Sequence, residues 1–237
     1  MHRSVRVGLV GAGRMGLEAG AAAEARGHHV VWTLGSADNP AASGLTAERL
    51  AAADVVFEFT TPQAAVENLL RLAGAGARVI CGTTGWDREL PRVSAAFAAG
   101  SGALVHSANF SVGVRHTFDL AARAARLFSP AGYAAYLVEE HHAGKRDAPS
   151  GTARRIASLV EDATGRPLTV ASVRAGTIPG THRLVFESAD DEVEIIHRAR
   201  GRGGFARGAV WAAERIAGRS GVYEFGELLA EISKEVS

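Results

Sequence analysis

A glycine motif near the start of the chain constrains its fold more than any other feature. The motif follows an apolar run at Val5–Val10, and its residues are Gly11, Ala12, Gly13, Arg14, Met15 and Gly16. The first glycine permits a tight turn, the second lets the backbone approach a pyrophosphate, and the third lets a helix pack on the strand. The N–H groups at the start of that helix would face the phosphates. The motif therefore predicts a β-α-β unit that binds a dinucleotide.

Short apolar runs alternate with helical stretches from Val5 to about Val105. The runs are rich in Val, Ile and Phe, which is typical of parallel strands covered on both faces. They predict strands at Val5–Val10, Val30–Leu34, Val55–Phe59, Arg78–Cys81 and Ala103–His106. Helices are predicted between them at Met15–Arg26, Ala47–Ala52, Pro62–Ala73 and Glu89–Ala98. This alternation predicts an α/β fold with a Rossmann-type, doubly wound parallel sheet.

The pattern changes after Asn109. A long helix, a strand, a second helix and a hairpin are predicted at about Val114–Phe128, Tyr133–Glu139, Thr152–Ala163 and residues 184–197. These elements predict a smaller mixed α+β domain for substrate binding and oligomerisation, because an open sheet can pair between subunits. We assign residues 1–108 to the dinucleotide-binding domain and 109–202 to the second domain. Helices within 203–237 are predicted to return to the first.

Composition excludes several classes of function. The chain has 237 residues, 47% of them hydrophobic, and a formal net charge of +1. That charge argues against a nucleic-acid partner, which usually requires a strongly basic face. No apolar run approaches the ~20 residues of a membrane helix, and the early strand pattern leaves no room for a signal peptide. The single cysteine, Cys81, cannot form an internal disulfide, so we expect a cytoplasmic protein.

The choice of cofactor depends on the end of the second predicted strand. An acidic residue about twenty positions after the glycine motif normally accepts the ribose hydroxyls and selects NAD. Here that position is Gly35, and no carboxylate follows until Asp38. Ser36 and Arg14 could donate to a 2′-phosphate, which favours NADPH or use of both cofactors. The loop of Gly82, Thr83 and Thr84 follows a strand and could contact the nicotinamide ribose, or be a plain turn.

A polar stretch between a predicted strand and a predicted helix carries the candidate chemistry. Lys145 supplies a cation, and the N–H groups of Gly151 and Thr152 lie at the positive end of a helix. Together they form a receptor for a carboxylate. His141 and His142 add imidazoles that can act as a general acid near neutral pH.

Two other interpretations of this stretch are weaker. His141 and His142 are adjacent, so on a strand they point to opposite faces and chelate one ion poorly. We therefore predict no metal site. Ser150 is better placed to cap the following helix than to act as a nucleophile, because no strand–elbow motif surrounds it.

These motifs resemble the dihydrodipicolinate reductase family over nearly the whole chain. The most specific is the pattern E-x-H-H-x-x-K-x-D-A-P-S-G-T, which is present from Glu139 to Thr152. The other matching segments are Val7–Gly16, Phe59-Thr60 with Pro62, Cys81–Gly85, Ala108–Gly113, and Phe205-Ala206 with Gly208-Ala209. The resemblance implies that His141 donates a proton and that Lys145 is a second catalytic, proton-donating residue. It also implies substrate contacts from His142, Gly151 and Thr152.

The resemblance further implies the cofactor, the assembly and the reaction. Its cofactor-binding positions correspond to Gly11–Gly16, Gly82, Thr83, Thr84, Ser107, Ala108, Asn109 and Phe110. Members of the family are typically cytoplasmic homotetramers joined through the sheet of the second domain. With NADPH or NADH they reduce 4-hydroxy-tetrahydrodipicolinate, a cyclic dicarboxylate, to tetrahydrodipicolinate in diaminopimelate and lysine biosynthesis.

The chain also departs from the family pattern. Its glycine loop is one residue shorter, Gly35 replaces the acidic position, and Gly144 stands where many members have a third histidine. Segments after Asn39 and near Pro167–Ala175 are shortened. These departures leave open a related reductase or amino-acid dehydrogenase acting on a different small acid. A nucleotide sensor without catalytic activity is a second alternative.

Overall fold

The computed structural model describes residues 4–235 and divides the chain into two compact units. The first unit consists of Met1–Ser111 together with Phe205–Ser237, and the second is Val112–Gly204. No helix in the described part of the chain is both long enough and apolar enough to cross a membrane.

The first unit is a parallel sheet of six strands covered by helices. Its strands are β1 (Arg6–Val10), β2 (His29–Leu34), β3 (Val55–Glu58), β4 (Arg78–Cys81), β5 (Ala103–His106) and β10 (Gly221–Glu224). Its helices are α1 (Arg14–Ala25), α2 (Ala47–Ala52), α3 (Pro62–Gly74), α4 (Leu90–Ala98), α7 (Gly203–Ala213, beginning just before the boundary) and α8 (Phe225–Glu235). The strand order is β10-β5-β4-β3-β1-β2, so the order reverses at β1. Ligands bind such sheets at this reversal, beyond the carboxyl ends of the strands.

The second unit is a four-stranded mixed sheet packed against two helices. It contains α5 (Val112–Phe128), β6 (Ala134–His141), α6 (Gly151–Thr164), β7 (Thr169–Arg174), β8 (Thr181–Glu187) and β9 (Glu192–Arg198). The strand order is β7-β6-β8-β9, in which only β6 and β7 pair in parallel. Ala121, Leu137, Ile156 and Phe186 belong to the apolar core between the helices and the sheet. The two units confirm the predicted α/β fold with a doubly wound sheet and a smaller mixed domain.

Two strands of the structure were not predicted from the sequence. β7 is an edge strand whose sequence, T-V-A-S-V-R, alternates poorly and leaves four of its six residues exposed. β10 has only four residues, all of intermediate exposure, and completes the edge of the first sheet beside β5. Both strands are defined by pairing with distant parts of the chain, so local patterning carries little signal for them.

Candidate functional site

The glycine turn after β1 has the geometry that its motif predicts. Gly11 has a φ of +105°, and its N–H donates to the carbonyl of Leu34 at 2.9 Å. A β carbon on Gly11 would lie 2.0 Å from the carbonyl oxygen of Phe59, and one on Gly16 would lie 2.0 Å from that of Gly11. A β carbon on Gly13 would meet no atom within 4 Å. Gly11 and Gly16 therefore permit close packing, while Gly13 faces open space that suits a pyrophosphate.

A cavity of about 600 Å³ opens beside this turn. That volume lies in the usual range for a small-molecule site. Of the predicted cofactor-binding residues it is lined by Gly11, Ala12, Gly13 and Ser36. The other members of the motif are not among its lining residues, because they form the start of α1: Arg14, Met15 and Gly16. The turn and the cavity together fit the diphosphate and adenosine part of a dinucleotide.

A buried carboxylate holds together the loops that follow β3 and β4. Glu58 is fully buried and accepts hydrogen bonds from the Thr83 hydroxyl at 2.6 Å, from Asn68 Nδ2 at 3.2 Å, and from the Thr60 hydroxyl. The Thr83 hydroxyl also accepts from the Thr60 N–H at 2.7 Å. The Thr83 side chain is thus engaged within the protein. Sequence reasoning missed Glu58, although a charged residue ending an apolar strand is a usable signal.

The loops after β4 and β5 border a second, smaller cavity of about 100 Å³ in the first unit. Its lining residues include Thr83, Thr84, Ser107 and Ala108, with the rings of Trp86 and His106. Gly82 lies just outside it, against an aromatic ring: a β carbon there would lie 2.1 Å from an atom of Phe59. Four of the predicted cofactor residues are therefore brought together at the carboxyl ends of neighbouring strands.

Predicted cofactor-binding residues of the loop after β5 also have partners within the protein. Ser107 Oγ donates to Glu224 at 3.0 Å and accepts from the Asn109 N–H at 3.2 Å. Phe110 is only 3% exposed, and its ring packs on Phe225 with centroids 4.9 Å apart. The Phe110 side chain belongs to the core, so only its backbone is left for a cofactor.

A row of polar side chains crosses the sheet of the second unit. Strand register places Ser172, Glu139, His182 and His197 opposite one another on β7, β6, β8 and β9. His141 lies two residues after Glu139, so it shares the same face of β6. The sequence predicted His141 in the loop after this strand, whereas the structure makes it the last residue of β6. Period-two alternation could have identified the Glu139–His141 pair, but His182 and Ser172 depend on register.

Glu139 is the most heavily hydrogen-bonded group in this row. It is fully buried and accepts from the Ser150 N–H at 3.0 and 3.1 Å, from Ser172 Oγ at 2.7 Å and from Arg174 Nη2 at 2.7 Å. Burial alone would raise the pKa of Glu139, but the hydrogen bonds from Ser150, Arg174 and Ser172 lower it to about 2. Glu139 is therefore a permanent anion beneath the histidines at neutral pH.

His141 lies directly on this anion. Its Nε2 is 3.2 Å from Oε2 of Glu139. A β carbon on Gly180, whose φ is +145°, would lie 2.9 Å from Cε1 of His141, so only glycine leaves room for the ring. Burial lowers the pKa of His141, and the Lys145 and Arg174 cations lower it further against the opposing effect of Glu139. The imidazole is therefore neutral in the free chain at pH 7.

The start of α6 offers backbone donors beside these side chains. Ser150 caps the helix, and its Oγ accepts from the Ala153 N–H at 3.2 Å. The N–H groups of Gly151 and Thr152 have no hydrogen-bond acceptor within residues 4–235. Unpaired N–H groups at a helix start bind anions.

Lys145 supplies the cation of the predicted receptor. Its Nζ lies 2.6 Å from Oδ1 of Asp147, and its side chain is about a quarter exposed at 24%. Its backbone N–H donates to the carbonyl of His142 at 3.1 Å, which closes a turn that leaves His142 exposed. The Lys145 cation is close enough to lower the pKa of both His141 and His182. The loop therefore gathers an ammonium group and an imidazole near one another.

Glu139, His141 and His182 also form a group with metal-ligand character, because one donor atom of each lies within 4.8 Å of the others. Two of the three groups are already engaged: the Glu139 carboxylate binds Arg174, and His182 Nε2 is 3.1 Å from Ser150 Oγ. Burial and the neighbouring His141 lower the pKa of His182 to about 4. We assign these residues to a hydrogen-bonded network and place no metal in it.

We expect Glu139→Gln to destabilise the fold by about 3 kcal/mol at pH 7, because it leaves the Arg174 cation without its buried partner. The pKa of Glu139 is lower than its ordinary value of 4.5, so the contribution is present above pH 4.5 and is lost as the pH falls towards 2. Thermal unfolding at pH 7 and pH 3 measures it. Glu192→Gln, an exposed change on β9, is the control. An equal loss at both pH values would contradict the prediction.

Comparison with known proteins identifies the family. The model described as "Dihydrodipicolinate reductase, N-terminus" matches residues 5–110, and that described as "Dihydrodipicolinate reductase, C-terminus" matches 113–229. The chain belongs to the dihydrodipicolinate reductase family. It is accordingly an NAD(P)H-dependent oxidoreductase that acts on a small substrate, in agreement with its Rossmann-type unit.

Individual relatives support the assignment. Proteins named 4-hydroxy-tetrahydrodipicolinate reductase are 38% identical over 198 residues in Chromobacterium violaceum and 36% identical over 201 residues in Cupriavidus necator. These alignments cover 75% and 76% of this chain and 73% and 75% of the relatives. The solved dipicolinate-bound dihydrodipicolinate reductase from Paenisporosarcina sp. TG-14 has the same fold, with a TM-score of 0.79, 22% identity, and coverage of 94% of this chain and 98% of that one.

Proposed function

We propose that this chain reduces 4-hydroxy-tetrahydrodipicolinate to tetrahydrodipicolinate, in diaminopimelate and lysine biosynthesis. The observation that carries this assignment is the grouping of Lys145, His141 and the unpaired N–H groups of Gly151 and Thr152 in a family member. An ammonium group and two backbone amides can bind a carboxylate, and the imidazole beside them can donate the proton that the reduction requires. We further propose a cytoplasmic homotetramer joined through the sheet of the second unit.

The residues of the second unit hold and polarise the diacid. Lys145 and the amides of Gly151 and Thr152 bind one carboxylate, and the exposed His142 contacts the other end of the substrate. Such positioning can contribute several kcal/mol to lowering the barrier. The 4-hydroxyl group of the substrate leaves as water, and a bound nicotinamide would supply the hydride to the conjugated ring that results. His141 donates the proton to the nitrogen end of the substrate, where negative charge develops.

Glu139 acts through His141 without contacting the substrate. Its carboxylate lies 3.2 Å from Nε2 of the imidazole and is itself fixed by Ser150, Ser172 and Arg174. Because Ser150 is also the cap of α6, one carboxylate aligns both the proton donor and the anion-binding end of the helix.

The pH dependence of turnover follows from the environment of His141. The groups that face it are Glu139, His182, Lys145 and Arg174. A proton donor works below its pKa, and burial lowers the pKa of His141 from 6.5, so kcat/KM falls as the pH rises through a value below 6.5. The bound diacid adds negative charge that stabilises the imidazolium, so the corresponding limb in kcat lies at higher pH. The pH profiles of kcat/KM and of kcat measure these two pKa values. If both parameters fell over the same pH range, the prediction would be contradicted.

Substrate identity is tested by direct assay. Purified enzyme is given freshly generated 4-hydroxy-tetrahydrodipicolinate with NADH or NADPH, and in parallel linear diamino acids with NAD⁺ or NADP⁺, because oxidation of an amino acid requires the oxidised cofactor. We expect turnover only with the cyclic diacid. Turnover of a linear amino acid alone would replace the proposal with an amino-acid dehydrogenase.

A redox-sensing role finds no support in the single cysteine. Burial raises the pKa of the Cys81 thiol well above its ordinary value, and the Glu58 carboxylate acts in the same direction. The thiolate is the reactive form of cysteine, so Cys81 is unreactive at neutral pH.

A further inference from the structure

We infer that Asp38 makes the cofactor site favour NADH over NADPH, because its carboxylate takes the place of the acidic residue that is missing at Gly35. The inference rests on the proposed function only in requiring a dinucleotide at the glycine turn. It reverses the preference for NADPH that Gly35 and Ser36 suggest when the sequence is considered alone.

The carboxylate of Asp38 returns to the end of β2 through a tight turn. The Asp38 N–H donates to the carbonyl of Gly35 at 3.2 Å, and the Gly35 N–H donates to Oδ2 of Asp38 at 3.1 Å. A β carbon built on Gly35 would lie 3.3 Å from the same Oδ2. An acidic side chain at position 35 would therefore extend towards the place that the Asp38 carboxylate occupies. In dinucleotide sites that place belongs to the acceptor for the ribose hydroxyls.

The turn that carries Asp38 is held against the rest of the unit. Asn39 Oδ1 accepts from the Gly44 N–H at 3.0 Å, and Asn39 Nδ2 donates to Asn68 at 2.8 Å. A β carbon on Gly44 would lie 2.4 Å from the backbone oxygen of Asp38, so this glycine permits the close approach. Asn68 in turn binds Glu58 at 3.2 Å. The backbone at Asp38 is thus fixed relative to the sheet by these hydrogen bonds.

The cavity beside this turn offers no cation for a 2′-phosphate. Neither lysine nor arginine is among the described residues that line it, and its polar side chains are those of Ser36, Asn39, Thr60, Thr61 and Asn68. Arg14 is exposed at the start of α1 and is not part of the lining. Asp38 does not line the cavity itself, but its carboxylate accepts from the N–H of Gly35, which does. Sites that accept NADP usually place an arginine near the 2′-phosphate. Here that phosphate would meet a carboxylate without a compensating charge.

A purely structural role for Asp38 makes a different prediction. Its side chain closes a turn on the Gly35 N–H, as aspartate and asparagine both do. Asp38→Asn preserves the shape and the hydrogen-bond acceptor of this turn while removing the charge. If Asp38 only closed the turn, this change would leave cofactor selectivity unaltered.

The test is to measure the dissociation constants of NADH and NADPH for the full chain, using the quenching of tryptophan fluorescence as the signal of binding. We expect the wild type to bind NADH roughly tenfold more tightly, and Asp38→Asn to reduce that ratio by about tenfold, mainly by tightening NADPH. Raising the salt concentration from about 50 mM to about 500 mM should reduce the preference of the wild type for NADH, measured as the ratio of the two dissociation constants. The same ratio should not change in the variant. Asp162→Asn, the same charge change at an exposed site on α6, should not alter the ratio.

Each outcome decides the inference. Equal or tighter binding of NADPH by the wild type, or an unchanged ratio in Asp38→Asn, overturns the role of Asp38 and leaves the reductase assignment intact. Failure of both dinucleotides to bind overturns the proposed function as well.

Discussion

His141→Gln is expected to lower kcat by about 10²–10⁴, the usual contribution of a general acid. Glutamine keeps a hydrogen-bond donor of similar reach but has no proton to give. The dissociation constant of NADH should stay within about twofold, because His141 belongs to the second unit and the glycine turn to the first.

Steady-state kinetics and cofactor titration on the same preparation measure both effects. His116→Gln provides the matched control, since His116 is an exposed histidine on α5 whose side chain is 49% accessible. The control should retain wild-type kcat. A His141→Gln enzyme with unchanged kcat would remove this residue from proton transfer.

Lys145→Ala is expected to raise KM and lower kcat together, because the ammonium group both binds the diacid and stabilises developing charge. A charge-assisted hydrogen bond contributes about 1.5–3 kcal/mol, which corresponds to roughly tenfold to 150-fold in kcat/KM. Lys145→Arg should recover part of the binding, since it restores the charge with a different geometry.

The neighbouring cation Arg146 gives a control within the same loop. Arg146 is exposed, and Arg146→Ala removes one positive charge, so it reproduces the change in net charge without touching the receptor. Kinetics and thermal unfolding should be compared for the three variants. If Lys145→Ala changed only the unfolding temperature, the carboxylate receptor would lie elsewhere.

Local sequence signals were sufficient for most of the first unit. The glycine motif and the apolar runs predicted five of its strands, because parallel strands buried on both faces leave a continuous pattern. They did not predict β10, whose four residues pair with β5 only after the chain has passed through the second unit. The order of the strands then follows from right-handed connections.

The candidate site was predictable only in part. The E-x-H-H motif pointed to His141 and Lys145, since both lie within ten residues of Gly151, where α6 begins. Sequence reasoning missed the groups that surround Glu139 and His141 because they come from other strands: Ser172, Arg174 and His182. Strand register determines these neighbours, and register is set by packing across the whole sheet. The turn that returns Asp38 to Gly35 was missed for a similar reason, because its shape depends on Asn39 and Gly44.

The late position of β10 in the chain has a consequence for biosynthesis. Until residues 221–224 leave the ribosome, β5 is an unprotected edge of the first sheet. More than a hundred residues separate the two strands, so at about 5–20 residues per second the nascent chain exposes that edge for roughly 6–20 seconds. Exposed edges recruit other strands, so the growing polypeptide is most vulnerable to aggregation in this interval. Demand for chaperones should therefore persist at least until residues 221–224 are available to pair with β5.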